Sequence, residues 1–152
     1  MLPYLLLLAI ETHQPRIPLH FEPNQGQVGG ETEWIAKARG GTLFIKNSAV
    51  AFETAEPGRK KPSIMRFVNA QHGKGEGLDP TGGYSNYFDG RDETHWRTGI
   101  PHYAKVRYQK LYKGIDLVYY ATPDRPIEYD LEAAPGADLN QIELAFVTCR
   151  VI

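Results

Sequence analysis

The chain has a single cysteine, Cys149, among 152 residues. That excludes an internal disulfide framework and a cysteine zinc cluster. An excess of charge of either sign is also missing: 17 Lys and Arg stand against 18 Asp and Glu, a formal net charge of -1. Nucleic acid is therefore not an expected partner, because phosphate binding needs a basic surplus or a basic face. Nor does any polybasic segment draw the chain to anionic lipid. Long apolar runs are absent except at the start, where Leu2, Tyr4, Leu5 to Leu8, Ala9 and Ile10 cluster. As a helix this run would reach only ~15 Å, half a bilayer core, so no membrane span is expected. No Lys or Arg precedes it and no small-x-small cleavage site follows Ala9, which makes it a poor export signal. Residues 1–17 are expected to be an apolar leader or a poorly ordered N-terminus, with a first strand stapled to the core as the alternative. A single β-rich domain over 18–152 follows. The terminal Cys149-Arg150-Val151-Ile152 has the length of a prenylation box, but Arg150 stands where an aliphatic residue belongs. The end of a strand is the expected reading.

Helical periodicity is equally scarce, with Thr32 to Arg39 the best short candidate for a helix. Alternation dominates instead. Thr42 to Ile45 and Ala49 to Phe52 flank a polar Lys46-Asn47-Ser48 turn, the pattern of a hairpin. Glu56 to Pro62 reads as a polar loop and Ser63 to Asn69 as a strand. Glycines 73, 75, 77, 82 and 83 with Pro80 predict a mobile loop over Ala70 to Gly83. Tyr84 to Tyr129 then holds ten of the seventeen aromatics. Here Ala104, Val106 and Tyr108 alternate with Tyr103, Lys105 and Arg107, and Ile115, Leu117 and Tyr119 with Asp116, Val118 and Tyr120. After a turn at Thr122 to Arg125, Pro126 opens a strand in which Ile127, Tyr129 and Leu131 oppose Glu128, Asp130 and Glu132. A Pro135-Gly136-Ala137-Asp138 turn precedes the last inward set, Ile142, Leu144 and Phe146. Short alternating strands with tight turns predict an all-β fold, an antiparallel sandwich or open barrel, wet on one face. The outward Lys105 and Arg107 pair with the outward acids if their strands are neighbours; a solvated sheet face is favoured over an acidic ion site.

Catalytic signatures are missing as well. Five histidines occur, His13, His20, His72, His95 and His102, and none pairs at metal-ligand spacing. No metal site, cofactor or catalytic residue is therefore assigned. His95 and His102 flank Pro101 and, with Asp92 and the nearby Asp89 and Glu93, form a minor candidate for a metal-assisted hydrolase. Ser63 and Ser85 lie near strands, but no Gly-x-Ser-x-Gly elbow is present, and the glycines at 73–83 lack the Lys-Ser/Thr ending of a phosphate loop. Trp34, Trp96, Tyr84 and Tyr103, with Tyr87 and Tyr120, are candidates for a platform that stacks sugar rings; core packing is the competing reading.

Phe21-Glu22-Pro23-Asn24-Gln25-Gly26-Gln27 is an unusual segment, in which Pro-Asn makes a turn, Gly26 permits a positive φ and the amides can pin backbone groups. It resembles the opening motif of a bacterial β-rich module, whose role is not established, at the N-terminus of very large secreted or surface proteins. That module commonly precedes SBBP-type β-propeller repeats, immunoglobulin-like modules or sorting domains. The resemblance continues in order through Ala38-Arg39-Gly40, then Ser85-Asn86-Tyr87-Phe88, Gly90 and Trp96-Arg97-Thr98. Pro101, Tyr103, Val106, Tyr108 and Tyr112 follow, then Gly114-Ile115-Asp116-Leu117-Val118-Tyr119-Tyr120, Glu128-Tyr129-Asp130 and Ala134 to Asp138. It implies a non-catalytic structural or interaction module outside the cytoplasm, whose partners are the other modules of a long surface protein and protein or glycan ligands. No catalytic residue travels with the resemblance. Relatives continue past the Ile142-x-Leu144-x-Phe146 strand, so the resemblance implies a truncated copy with an open edge and an exposed apolar face.

Overall fold

A computed structural model describes residues 19–38, 40–55, 58, 62–122 and 127–148. The apolar leader, the Cys149 terminus, the turn around 123–126 and most of the 56–62 loop lie outside the described residues.

Ten strands form one antiparallel sheet: β1 Phe21–Pro23, β2 Trp34–Ala38, β3 Gly41–Lys46, β4 Ala49–Thr54, β5 Ser63–Phe67, β6 Glu76–Tyr87, β7 Arg97–Tyr112, β8 Ile115–Tyr120, β9 Glu128–Ala133 and β10 Leu144–Thr148. Their order is β10-β5-β4-β3-β2-β1-β7-β8-β9, with β6 paired to β7 off that path. The sheet curls into a half-barrel, so the open-barrel form of the expected architecture is the one adopted, not two stacked layers. The two short helical pieces among the described residues are single 3-10 turns at Glu93–His95 and Leu139–Gln141, capped by Asp92 and Asp138.

The core lines the concave side. Phe21, Trp34, Ala36, Ile45, Phe67, Val106, Tyr108, Leu111, Tyr112, Ile115, Leu117 and Tyr119 are buried together, and Tyr129, Leu131, Ile142 and Leu144 pack against them. Period-2 alternation puts most of this set on one face, and the β7 irregularity between Tyr108 and Tyr112 lets the consecutive Leu111 and Tyr112 both be buried. The twist of each strand wraps that face around a shared interior. Outside, β8 separates β7 from β9, and Arg107 reaches across it to Glu132, while Lys105 pairs with Asp79 at 2.9 Å.

Three expectations are corrected. The helix expected over Thr32 to Arg39 is replaced, among the described residues, by a strand: Trp34–Ala38 is β2, between β1 and β3. Its apolar run Trp34-Ile35-Ala36 is buried on both faces, which removes the alternation that marks a half-wet strand. The glycine-rich stretch is not a mobile loop but leads into the long strand β6. A Cβ at Gly77 would stand 2.7 Å from the Tyr103 ring and 2.8 Å from the Trp34 indole, and one at Gly75 would collide with Trp34 as well. These glycines serve close approach of backbone to aromatic rings. Phe146 does not point into the core and is 70% exposed. It belongs to an edge strand, and no described layer covers that end of the sheet.

Candidate functional site

The sequence places His20 and Glu22 two residues apart in extended chain, so both project to the same side, with Phe21 opposite and fully buried. β1 joins β7 through the Phe21–Tyr103 pairing, which brings Glu22 beside His102. The β6–β7 ladder, with Ser85 opposite Ile100 and Tyr87 opposite Arg97, adds Ser85 and Tyr87. A register shift between Ser85 and Tyr87 marks a bulge, a feature that re-aims side chains.

Glu22 is the centre of this cluster and is 1% exposed. Its Oε1 lies 3.0 Å from His20 Nε2 and accepts the Ser85 hydroxyl at 2.7 Å. Its Oε2 accepts the Tyr87 hydroxyl at 2.5 Å. Burial pushes the Glu22 pKa up, but the hydrogen bonds from His20, Ser85 and Tyr87 and the charge of Lys37 outweigh burial and hold it at about 2. It is a carboxylate at neutral pH. Lys37 Nζ also sits 4.5 Å over the Tyr87 ring. Burial and the Glu22 charge push the Tyr87 phenol up, so Tyr87 remains a donor.

The two imidazoles stack face to face, centroids 3.5 Å apart and planes 15° apart. His102 Nε2 lies 2.7 Å from Ser85 Oγ and 3.5 Å from Glu22 Oε1. Burial lowers the His102 pKa, and the neighbouring His20 and Lys37 lower it further, against the pull of Glu22. The proton inventory follows. A carboxylate only accepts, so His20 carries its hydrogen on Nε2. The single Ser85 proton goes to Glu22, so His102 donates from Nε2 to Ser85 Oγ. This is not a serine–histidine–acid relay. There the acid orients the imidazole through Nδ1 and the serine gives its proton to Nε2. Here acid and serine approach the same nitrogen and the serine proton is held by the acid.

His20, Glu22 and His102 are the described residues able to hold a metal ion as a group; one ligand atom from each lies within 4.8 Å of the others. Spacing along the sequence does not reveal this group, because β7 brings in the second imidazole from 82 positions beyond the first. The available signal was His20-x-Glu22, two ligand types on one side of a strand. A groove of about 340 Å³ lined by Pro80, Gly82, Gly83, Tyr84, Gly99, Pro101 and His102 adjoins the cluster. A Cβ at Gly83 would fall 2.8 Å from His102 Nδ1, so the glycine leaves room for the ring.

The other expected sites are rearranged. Trp34 is only 6% exposed and packs edge-on against Tyr103, centroids 5.6 Å apart, so a sugar platform of Trp34, Trp96, Tyr84 and Tyr103 does not form. Tyr84 is exposed, and Trp96 packs instead against Phe88 at 5.1 Å. His102 is carried away from His95 by an extended strand at roughly 3.3 Å per residue, and it stacks on His20 instead. Asp92 caps a 3-10 turn, accepting from Thr94 N at 3.0 Å. The remaining motif residues hold backbone. Asn24 bonds Val28 O, Thr32 O and Gly26 N, at 3.0, 2.9 and 3.1 Å, and Gln27 bonds Pro23 O at 2.9 Å. Gly26 has φ +103° and sits against Arg97. Asn86 accepts Gly99 N at 2.8 Å, and Asp116 accepts Lys110 N at 2.8 Å within the β7 irregularity. Gly114 turns β7 into β8 at φ +76°, Tyr129 packs edge-on to Phe67, and Asp130 accepts the Tyr120 hydroxyl at 3.2 Å.

Comparison with curated proteins and with solved structures returns no match. Residues 21–151 match the family described as domain of unknown function (DUF7948), and the chain belongs to that family.

Proposed function

We propose that this member of the family is a non-catalytic structural and interaction module of a long secreted or cell-surface protein. Its open sheet edge takes an extended strand from the adjoining module. The observation that carries this reading is β10. Among the described strands it pairs with β5 alone, and it presents Phe146 at 70% and Val147 at 48% exposure. An unpaired edge with exposed apolar side chains is a template for strand addition: backbone hydrogen bonds supply affinity and alternate side chains supply selectivity. The ordered motif resemblance supports the extracytoplasmic setting and the neighbouring modules. A net charge of -1 supports protein surfaces over nucleic acid as partners.

Hydrogen exchange tests the reading. The β10 amides that face away from β5 exchange fast in the isolated 152-residue chain and slowly in the natural protein that carries the adjoining module. Phe146→Lys returns fast exchange to the long protein while leaving the core intact. Equally fast exchange in both proteins overturns the reading, as does a natural gene product with no further module.

A further inference from the structure

We infer that His20, Glu22 and His102 form a binding site for a divalent transition-metal ion of the zinc class, tying β1 to the β6–β7 hairpin. The inference is independent of the edge-strand reading above.

The geometry comes first. A tetrahedral ion about 2.1 Å from nitrogen and oxygen ligands holds those atoms roughly 3.4 Å from one another. Glu22 Oε1 lies 3.0 Å from His20 Nε2 and 3.5 Å from His102 Nε2. Both separations lie within about 0.4 Å of that value, and the two imidazoles offer ligand nitrogens within 4.8 Å of each other. The ligand chemistry is selective too. Two imidazoles and one carboxylate suit zinc, cobalt and nickel, whereas magnesium and calcium take oxygen shells.

Burial gives the driving force. Glu22 is an almost fully buried anion whose hydrogen-bonding partners Ser85 and Tyr87 are neutral. A divalent cation adds countercharge at the carboxylate itself, where Lys37 acts only through its field. Ser85 and Tyr87 orient the carboxylate, the role that outer partners play around metal ligands. Three protein ligands leave one position of a tetrahedral ion for water.

Binding has two structural consequences. Parallel stacked rings aim their nitrogen lone pairs along parallel lines, so the imidazoles tilt apart when both Nε2 atoms meet one ion. Each neutral ring also shifts its hydrogen from Nε2 to Nδ1, so that Nε2 offers a lone pair, while a ring that starts doubly protonated releases its Nε2 proton to solvent and keeps the one on Nδ1.

The test uses the full 152-residue chain, stripped with a chelator and titrated with Zn²⁺ by calorimetry and with Co²⁺ by visible absorption. Saturation at one equivalent is expected, with the intense d–d bands of tetrahedral Co²⁺ and a Zn²⁺-dependent rise in melting temperature. His20→Gln and His102→Gln, which keep similar volume, each weaken binding by at least about tenfold. His95→Gln and His72→Gln leave it unchanged. Absence of saturable binding to the unmodified chain overturns the inference whatever the variants do. Binding that survives the His20→Gln/His102→Gln double variant, or that is lost in His95→Gln, overturns it equally.

Discussion

The Tyr87 hydroxyl donates to the Glu22 carboxylate across 65 positions of sequence, and the acceptor is almost wholly buried. One short strand and one long hairpin are thereby locked by a charge-assisted hydrogen bond, a class about twice as strong as neutral pairs. Replacing Glu22 by Ala leaves the Ser85 and Tyr87 hydroxyls without this acceptor. A loss of about 2–4 kcal/mol is expected. Glu22→Gln keeps an acceptor oxygen and loses less. Urea unfolding reads this as a lower midpoint at unchanged slope. Equal stability of Glu22→Ala and the parent chain would show that the cluster does not hold the fold.

Two buried tyrosines make a matched pair. Tyr108 donates to Glu33 Oε2 at 3.0 Å, whereas the Tyr119 hydroxyl has no partner among the described residues. Tyr108→Phe is expected to destabilise by about 1–2 kcal/mol, because it removes a bond to a charged acceptor. Tyr119→Phe removes a buried hydroxyl that makes no bond, and is expected to be neutral or stabilising by up to about 1 kcal/mol. The order of the two midpoints is the readout, and the reverse order contradicts the assignment.

The same pair contributes to the alkaline limit, together with Tyr87. Burial raises both phenols above their ordinary value of 10.0, with Glu33 adding to the shift at Tyr108 and Tyr129 at Tyr119. A raised folded value means that the neutral phenols' contribution is fully present below the unfolded value and is lost as pH rises above it. Stability is therefore expected to hold up to about pH 10 and to fall steeply beyond. The phenolate absorbance of the buried Tyr108 and Tyr119 should appear in one cooperative step with unfolding. Ionisation of these two phenols while the dichroism spectrum stays native contradicts this.

Gly77 and Gly29 separate crowding from intrinsic propensity. Alanine at Gly77 drives a methyl into Tyr103 and Trp34, with an expected loss of about 1–3 kcal/mol. Gly29 has open space around its Cβ direction, so alanine there is expected to change stability by less than about 0.5 kcal/mol. Thermal melts of the two variants compare them directly. Equal, small effects would mean that β6 does not pack against the indole.

Trp34 and Trp96 differ in the same way. Trp34→Ala empties a core position and is expected to lose about 3–5 kcal/mol. Trp96→Ala removes a half-buried loop contact with Phe88, with an expected loss below about 1.5 kcal/mol. Loss of sugar binding by Trp34→Ala would therefore report unfolding, which a dichroism spectrum detects.

Local alternation made the all-β class, the hairpin around Lys46 to Ser48 and most of the inward set readable in the sequence, because side-chain direction reverses at every residue of a strand. The structure takes Lys46 into β3 and leaves Asn47-Ser48 as the turn. Trp34 to Ala36 resisted that reading, since a strand buried on both faces has no polar beat. The glycines of β6 misled for a different reason. Composition records the missing Cβ, but not whether it serves turning or the approach of an aromatic ring.

Cysteine scarcity, balanced charge and alternating apolar positions determined by themselves that this is a turn-rich β chain without an internal disulfide. Only the tertiary structure decided which side of each ribbon is covered, that Phe146 stays outside, and that two histidines meet a buried glutamate. Those outcomes depend on the register in which Phe21 meets Tyr103 and on the curl of the sheet. Both are set by packing among residues distant along the chain, which no local pattern encodes.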